Sequence, residues 1–392
     1  MGYKNKLTRT MRRKDFLKIG GLMAATASQP AVFAASKPQN ASNDVDFVHD
    51  GLVLTPKEYG SLLMQLADEG KIKPDYYSNG GVVEELEAVF AKLFGKESAV
   101  FMPTGTLANH IAVRRLAGQN RRVIVQEQSH LYNDTGDCSQ TLSNLNLIPL
   151  GLNAVEFTLE ELDYIVKKTQ GGRVETHVGV ISTESPVRRQ KDRMFSFENV
   201  KKIAEYAKIN GIKMHLDGAR VFVQPVHNNI SVIQYSAPFD TVYTSLWKCF
   251  NAASGAILAG PKNFTDNLFH ERRMFGGGLP TAWAFAAVAL HFANSFAEDY
   301  KQSWQKAETL FSLLQKEERF TITKFENGSH IVGLEVKNAN AGRFKEALAK
   351  KKIELSAPSG NGFLLKVNPS ILRETPQNLA SRFMDSLKES EM

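Results

Sequence analysis

The stretch Phe239-Asp240-Thr241-Val242-Tyr243-Thr244-Ser245-Leu246-Trp247-Lys248 decides how the rest of the chain is read. Phe239 to Leu246 reads as a buried strand with a small polar exit, and Lys248 follows it. A lysine in such a place is costly to bury as a cation. Desolvation lowers its pKa, and a neutral amine is a nucleophile toward an aldehyde. Upstream, Ile212 to Leu216 reads as another apolar strand, and it leads into Asp217-Gly218-Ala219-Arg220. A lysine that can form a Schiff base and a carboxylate that can keep a pyridine nitrogen protonated are the minimum set for pyridoxal 5'-phosphate (PLP). Taken singly, each has a plainer reading: a solvated charge after a strand, and an Asp-Gly turn.

Three further pieces surround that pair. Pro103-Thr104-Gly105-Thr106-Leu107 lies between a strand and a helix. There Gly105 lets backbone amides approach an anion, the helix N-terminus adds partial positive charge, and Thr106 adds a hydroxyl. The segment reads as a phosphate cradle or as a plain helix cap. His130, in Gln128-Ser129-His130-Leu131-Tyr132, is either a ring that stacks on a pyridine face or a structural histidine. Arg220 carries a planar fork that suits a carboxylate; the alternative is an ion pair bracing the turn.

Composition narrows the class. A hydrophobic content of 43% and a charged content of 23% over 392 residues fit a globular enzyme with a large and a smaller domain. The net charge of +7 sits mostly in the first 35 residues, where Lys4, Lys6, Arg9, Arg12, Arg13, Lys14 and Lys18 face Asp15 alone. The balanced remainder carries no nucleic-acid footprint, so no nucleic-acid partner is expected. Thr10-Met11-Arg12-Arg13-Lys14-Asp15-Phe16-Leu17-Lys18 resembles a bacterial twin-arginine signal, and Val32-Phe33-Ala34 offers a cleavage site. Residues 1–35 are therefore expected to be an export leader and the protein periplasmic or exported; the alternative is an uncleaved basic tail. The apolar run Ile19 to Ala27 falls well short of the roughly 20 residues that span a bilayer. Two cysteines, Cys138 and Cys249, make no disulfide framework and no metal site, and Cys249 is expected buried and reduced.

Residues 36–45 read as a polar linker. Residues 46–300 are expected to form an arm and a large domain, and residues 301–392 a small C-terminal α+β domain. Thr55 and Pro56 look like the N-cap and first residue of a helix. Val82, Val83, Leu86, Val89, Phe90 and Leu93 share a helical face that ends at Gly95. Strands are expected at 98–102, 122–125, 145–150 and 178–182 besides the two above, alternating with helices. That alternation predicts an α/β fold with a mostly parallel sheet wrapped by helices. One long helix is expected from Thr281 to about Leu314. Strands at 320–325, 331–336 and 363–367, with helices near 343–350 and from Pro376, follow it.

With these pieces assembled, residues 46–390 resemble the L-threonine aldolase branch of the aromatic amino acid β-eliminating lyase/threonine aldolase family, among the fold-type I PLP enzymes. Gly80-Gly81-x-x-Glu84-Glu85-Leu86-Glu87, Phe101-Met102-Pro103-Thr104-Gly105-Thr106, Ser129-His130-Leu131-Tyr132, His215-Leu216-Asp217-Gly218-Ala219-Arg220, Ser245-Leu246-Trp247-Lys248 and Gly276-Gly277-Gly278 carry the likeness. The resemblance implies a seven-stranded sheet and PLP on Lys248. It implies Asp217 on the pyridine nitrogen, His130 stacked on the ring and assisting proton transfer, and Gly105 and Thr106 on the phosphate. It further implies Arg220 on the substrate carboxylate, and a homodimer or homotetramer. The implied reaction is Cα–Cβ cleavage of a β-hydroxy-α-amino acid, such as threonine to glycine and acetaldehyde.

Substrate-facing positions depart from the family pattern. His49 stands where the family's arm carries a serine, and Lys366 is the nearest match to a carboxylate-binding arginine. Glu184-Ser185-Pro186-Val187-Arg188 replaces a Glu-Asn-Thr segment, so Arg188 is a candidate to supply the lost charge. Leu279-Pro280-Thr281 lacks a basic residue common after the triple glycine. His49, Arg188, Arg220 and Lys366 are thus the candidate substrate contacts. β-Elimination on another amino acid, or binding without catalysis, stay open as alternatives.

Overall fold

The computed structural model describes residues 44–391. The expected leader, and the linker as far as residue 43, lie outside the described residues. In chain order the strands are β1 (Val45–Asp46), β2 (Ser98–Met102), β3 (Arg122–Gln126), β4 (Asn146–Leu150), β5 (Val178–Glu184), β6 (Lys213–Asp217), β7 (Thr241–Ser245), β8 (Ala256–Gly260), β9 (Phe320–Lys324), β10 (Ile331–Val336), β11 (Ile353–Glu354) and β12 (Gly362–Lys366).

Seven of them make the central sheet, in the order β2-β8-β7-β6-β5-β3-β4. Neighbours from β4 to β7 are parallel, and β8 runs antiparallel to both β7 and β2. β5 and β7 are buried along their whole length, as strands covered on both faces must be. Register then sets the chemistry. Glu184 pairs with Asp217, and Asp217 with Tyr243, so three polar side chains share one row near the carboxyl ends of β5, β6 and β7. One row back, His215 pairs with Thr241. In open α/β sheets ligands bind at this edge.

The seventh strand, β8, was not placed by the sequence pattern. Ala256-Ile257-Leu258-Ala259-Gly260 is wholly buried, so it shows no polar alternation to read. The long helix expected from Thr281 divides into Trp283–Ala293 and Phe296–Leu314, with Asn294 and Ser295 between them. Their surfaces differ. The first helix is apolar nearly all round and packs on the helix Gly81–Phe94, whereas the second has one apolar stripe. That stripe begins in the large core with Phe296 and Tyr300 and ends in a second core with Ala307, Leu310, Phe311 and Leu314. Caps fall where the sequence puts them: Thr55 and Glu58 form a capping box ahead of Pro56, and Gly95 closes Gly81–Phe94 in the left-handed region.

The second core gathers β9, β10 and β12 with the helices Ala341–Lys350 and Pro376–Glu389, and it also takes in Val45 and Phe47. β1 lies parallel to β11, and Lys366 N–H donates to the Phe47 carbonyl at 2.8 Å. The arm is therefore stitched to the C-terminal sheet before it turns toward the large core. At the turn a Cβ on Gly51 would lie 2.2 Å from the Lys248 carbonyl oxygen, so only glycine lets the arm approach the Lys248 loop. Cys249 is buried and free, and Cys138 is free as well. Among the described residues no helix is long and apolar enough to cross a membrane.

Candidate active site

Lys248 follows β7 by three residues and is half-buried. Its amine has neither a hydrogen bond nor an ion pair among the described residues; its one close partner is the Trp247 ring, 5.7 Å from Nζ. Burial, and then the Arg220 charge, bring its pKa down to about 8, while Asp217, Asp50 and Glu184 pull the other way. Lys248 and Asp217 thus belong to one electrostatic cluster. A cavity of about 570 Å³ opens beside the lysine, lined among others by His49, Asp50, Tyr59, Trp247 and Asn251.

Asp217 ends β6. Its Oδ2 accepts from Asn109 Nδ2 at 2.6 Å and its Oδ1 from the Ala219 N–H at 3.2 Å. Beside it, Glu184 accepts from the backbone N–H groups of His130 (2.5 Å) and Arg188 (2.8 Å). Burial and the neighbouring Asp217 push the Glu184 carboxyl up to about 8, against the pull of those two amides and Arg220.

The helix Gly105–Ala117 starts at this edge. Thr104 caps it by accepting from Leu107 N–H, which leaves the first-turn Gly105 and Thr106 N–H groups outside the helical ladder. A Cβ at Gly105 would lie 1.9 Å from the Tyr243 hydroxyl, so the glycine keeps the cradle open beside the β7 tyrosine. His130 opens the short helix His130–Asn133, with Nδ1 3.5 Å from Asp134.

The four candidate substrate contacts are all engaged. Arg220 is buried, with Nη2 2.9 Å from Asp50 Oδ2 and Nη1 3.6 Å from Asp192 Oδ1. Burial opposes its charge, but Asp50 and Asp192 raise its pKa above the ordinary arginine value. Its Nε–H is buried and lacks an acceptor. Lys366 Nζ lies 3.2 Å from Asp50 Oδ1, and His330 Nε2 lies 3.1 Å from the same oxygen. Arg188 pairs with Asp134 at 2.5 Å and Arg189 with the same carboxylate at 2.9 Å. Burial would raise the Asp134 carboxyl, but the arginine hydrogen bonds win and hold it down at about 2. His49 is half-exposed, with Nδ1 2.7 Å from Asp46 Oδ2. Lys248 and His49 line one cavity with Asp50, Asp50 holds Arg220 and Lys366 behind it, and Asp217 acts on the Lys248 charge. Arg188 and His130 meet at the Glu184 side.

Sequence reasoning passed over Asp50, Asn109, Asp192 and His330. Asp50 adjoins the flagged His49, and a charged residue next to an aligned arm position was a usable signal. Asp192 and His330 come from distant segments, and no local pattern marks them.

The donor set fits PLP. It offers an uncommitted amine with lowered pKa, a carboxylate row beside it and free amides at a helix start that a side chain at Gly105 would block.

The chain is 28% identical to a low-specificity L-threonine aldolase from Candida albicans over 218 residues, which is 55% of this chain and 58% of that one. It is 27% identical to the Saccharomyces cerevisiae low specificity L-threonine aldolase over 235 residues, 59% of this chain and 60% of that one. The chain thus spans less than two thirds of the length of these curated relatives. A Listeria monocytogenes crystal structure, provisionally assigned as an L-allo-threonine aldolase, superposes with a TM-score of 0.72 at 26% identity and covers 88% of this chain and 96% of that one. The model of the beta-eliminating lyase family matches residues 69–337, well over half of the chain, and the protein belongs to that family.

Proposed function

We propose that the protein is a PLP-dependent aldehyde-lyase that cleaves the Cα–Cβ bond of a β-hydroxy-α-amino acid, with threonine to glycine and acetaldehyde as the model reaction. One observation carries this reading: the amine of Lys248 is unpaired, shifted toward neutrality, and clustered with Asp217 at the carboxyl edge of the sheet. When bound, PLP supplies an electron sink for the pair left on Cα. Lys248 Nζ is the amine that would attach it. Asp217 holds a proton on the ring nitrogen, and the Gly105 and Thr106 amides take the phosphate. His130 would stack on the ring. Its Nδ1 faces Asp134, which leaves Nε2 to accept the β-hydroxyl proton. Arg220 and Lys366, both held by the cavity-lining Asp50, would receive the substrate carboxylate together with His49, and Arg188 would add charge from the Glu184 side.

β-Elimination is the second reading. It is favoured by His49 in the arm and by a lysine at 366 whose amine is already held by Asp50. Purified, PLP-loaded protein on a panel of amino acids separates the two. Glycine with acetaldehyde from threonine supports the aldolase, and 2-oxobutanoate with ammonia supports elimination. A PLP absorbance band without turnover on any amino acid would leave only binding. The basic leader supports delivery outside the cytoplasm, which cell fractionation with N-terminal sequencing tests. Sites of this fold type are commonly shared between subunits, and light scattering would distinguish the proposed homodimer from a homotetramer.

A further inference from the structure

Behind Asp217 runs a hydrogen-bonded row that the reaction itself does not use. Asn109 Nδ2 lies 2.6 Å from Asp217 Oδ2, His215 Nε2 lies 2.9 Å from Asn109 Oδ1, and His215 Nδ1 lies 2.8 Å from Thr241 Oγ1. Asn109, His215 and Thr241 have no solvent-exposed surface, and Asp217 has almost none. The row follows from the fold. Asn109 projects from the helix Gly105–Ala117, and sheet register places His215 beside Thr241.

The proton positions follow in turn. An ionised carboxylate only accepts, so the amide of Asn109 must turn its NH₂ to Asp217 and its oxygen to His215. An amide oxygen only accepts, so His215 must carry a proton on Nε2. Burial drives the His215 pKa down to about 4 against the pull of Asp217 and of the Thr241 backbone, so the ring is neutral, and with the proton on Nε2 its Nδ1 accepts from the Thr241 hydroxyl.

We propose that Asn109 and His215 are positioning residues for Asp217, holding one carboxylate oxygen on a fixed donor through a proton-ordered chain that starts at Thr241. The inference rests on the reading of Asp217 as the partner of a pyridine nitrogen. A carboxylate locked in this way cannot rotate away from the ring without breaking a buried chain of bonds.

Nitrogen NMR of histidine-labelled apoprotein near neutral pH reads the proton order directly, with His215 assigned through its contacts to Asn109 and Thr241. A neutral ring with the proton on Nε2 is expected; an imidazolium, or a proton on Nδ1, overturns the chain. This measurement needs only the wild-type protein. The positioning role is read from PLP affinity by fluorescence. Asn109→Leu and His215→Phe should weaken binding about tenfold or more, the loss of a charge-assisted or buried hydrogen bond. His215→Gln keeps an amide donor at the Nε2 position toward Asn109 and should restore most of that affinity. Equal affinity in His215→Phe and wild type, in folded proteins, overturns the role. Wild-type protein that takes up no PLP overturns the reading of the site itself, while the ring spectrum still judges the proton order separately.

Discussion

Arg220 Nη2 lies 2.9 Å from Asp50 Oδ2, and neither side chain is more than 7% exposed. The pair joins the β6 turn to the N-terminal arm. His330 and Lys366 of the small sheet reach the other oxygen of the same carboxylate, so one acid binds three segments. Asp50→Ala would leave Arg220 and Lys366 without that anion, and breaking a buried pair in this way costs roughly 3–5 kcal/mol. Chemical denaturation of the apoprotein should show that loss, with little change in the m-value.

Burial alone would raise the Asp50 carboxyl; Arg220, His330 and Lys366 outweigh it and hold the pKa well below the ordinary aspartate value. With the folded pKa depressed, the stabilisation is present above the unfolded value of about 4 and is lost as pH falls through the folded value. The stability gap between wild type and Asp50→Asn should therefore narrow on acidification below about pH 4, measured as the difference in Tm.

Glu184 has the opposite sign. Its carboxyl is pushed up to about 8. Its contribution is complete below the unfolded glutamate value of about 4.3 and is lost as pH rises toward 8. Glu184→Gln removes that titration. Its Tm should rise relative to wild type as pH increases from about 4.3 to 8, and a constant difference would count against a protonated Glu184.

Lys248 should react as an amine with a pKa near 8. The rate of adduct formation with added PLP should rise with pH through that value, not through the usual lysine range, when followed by absorbance. Lys248→Ala should lose both turnover and the borohydride-reducible adduct, the latter read by intact mass.

Arg188 and Arg189 share Asp134 at the surface, with side chains 45% and 40% exposed. Exposed pairs contribute little, so Arg188→Ala should change stability by no more than about 1 kcal/mol. If Arg188 meets the substrate carboxylate, KM rises several-fold and kcat holds; an unchanged KM removes it from the site.

Much of the sheet was legible because β5, β6 and β7 carry apolar residues that lead into polar ends, and the ends carry the chemistry. Lys248 and Asp217 could be placed together because strand exits in a parallel sheet face one edge. β8 escaped because full burial erases alternation. The break at Asn294 escaped because both flanking segments favour helix, and the change lies in which core each one covers. Arg220 showed its charge in the sequence but not its partners. Its alternative as a bracing ion pair describes the Asp50 and Asp192 contacts, and those acids lie in segments that only the folded chain brings near.

The parallel pairing of Val45 and Asp46 with Ile353 and Glu354 has a consequence for biosynthesis. A nascent polypeptide that has not reached residue 353 has no strand to receive Val45 and Asp46, and nothing then seats Asp50 against Lys366. The wall beside Lys248 is finished only once residue 366 has been made, so a precursor truncated before residue 353 would leave that lysine facing an open flank.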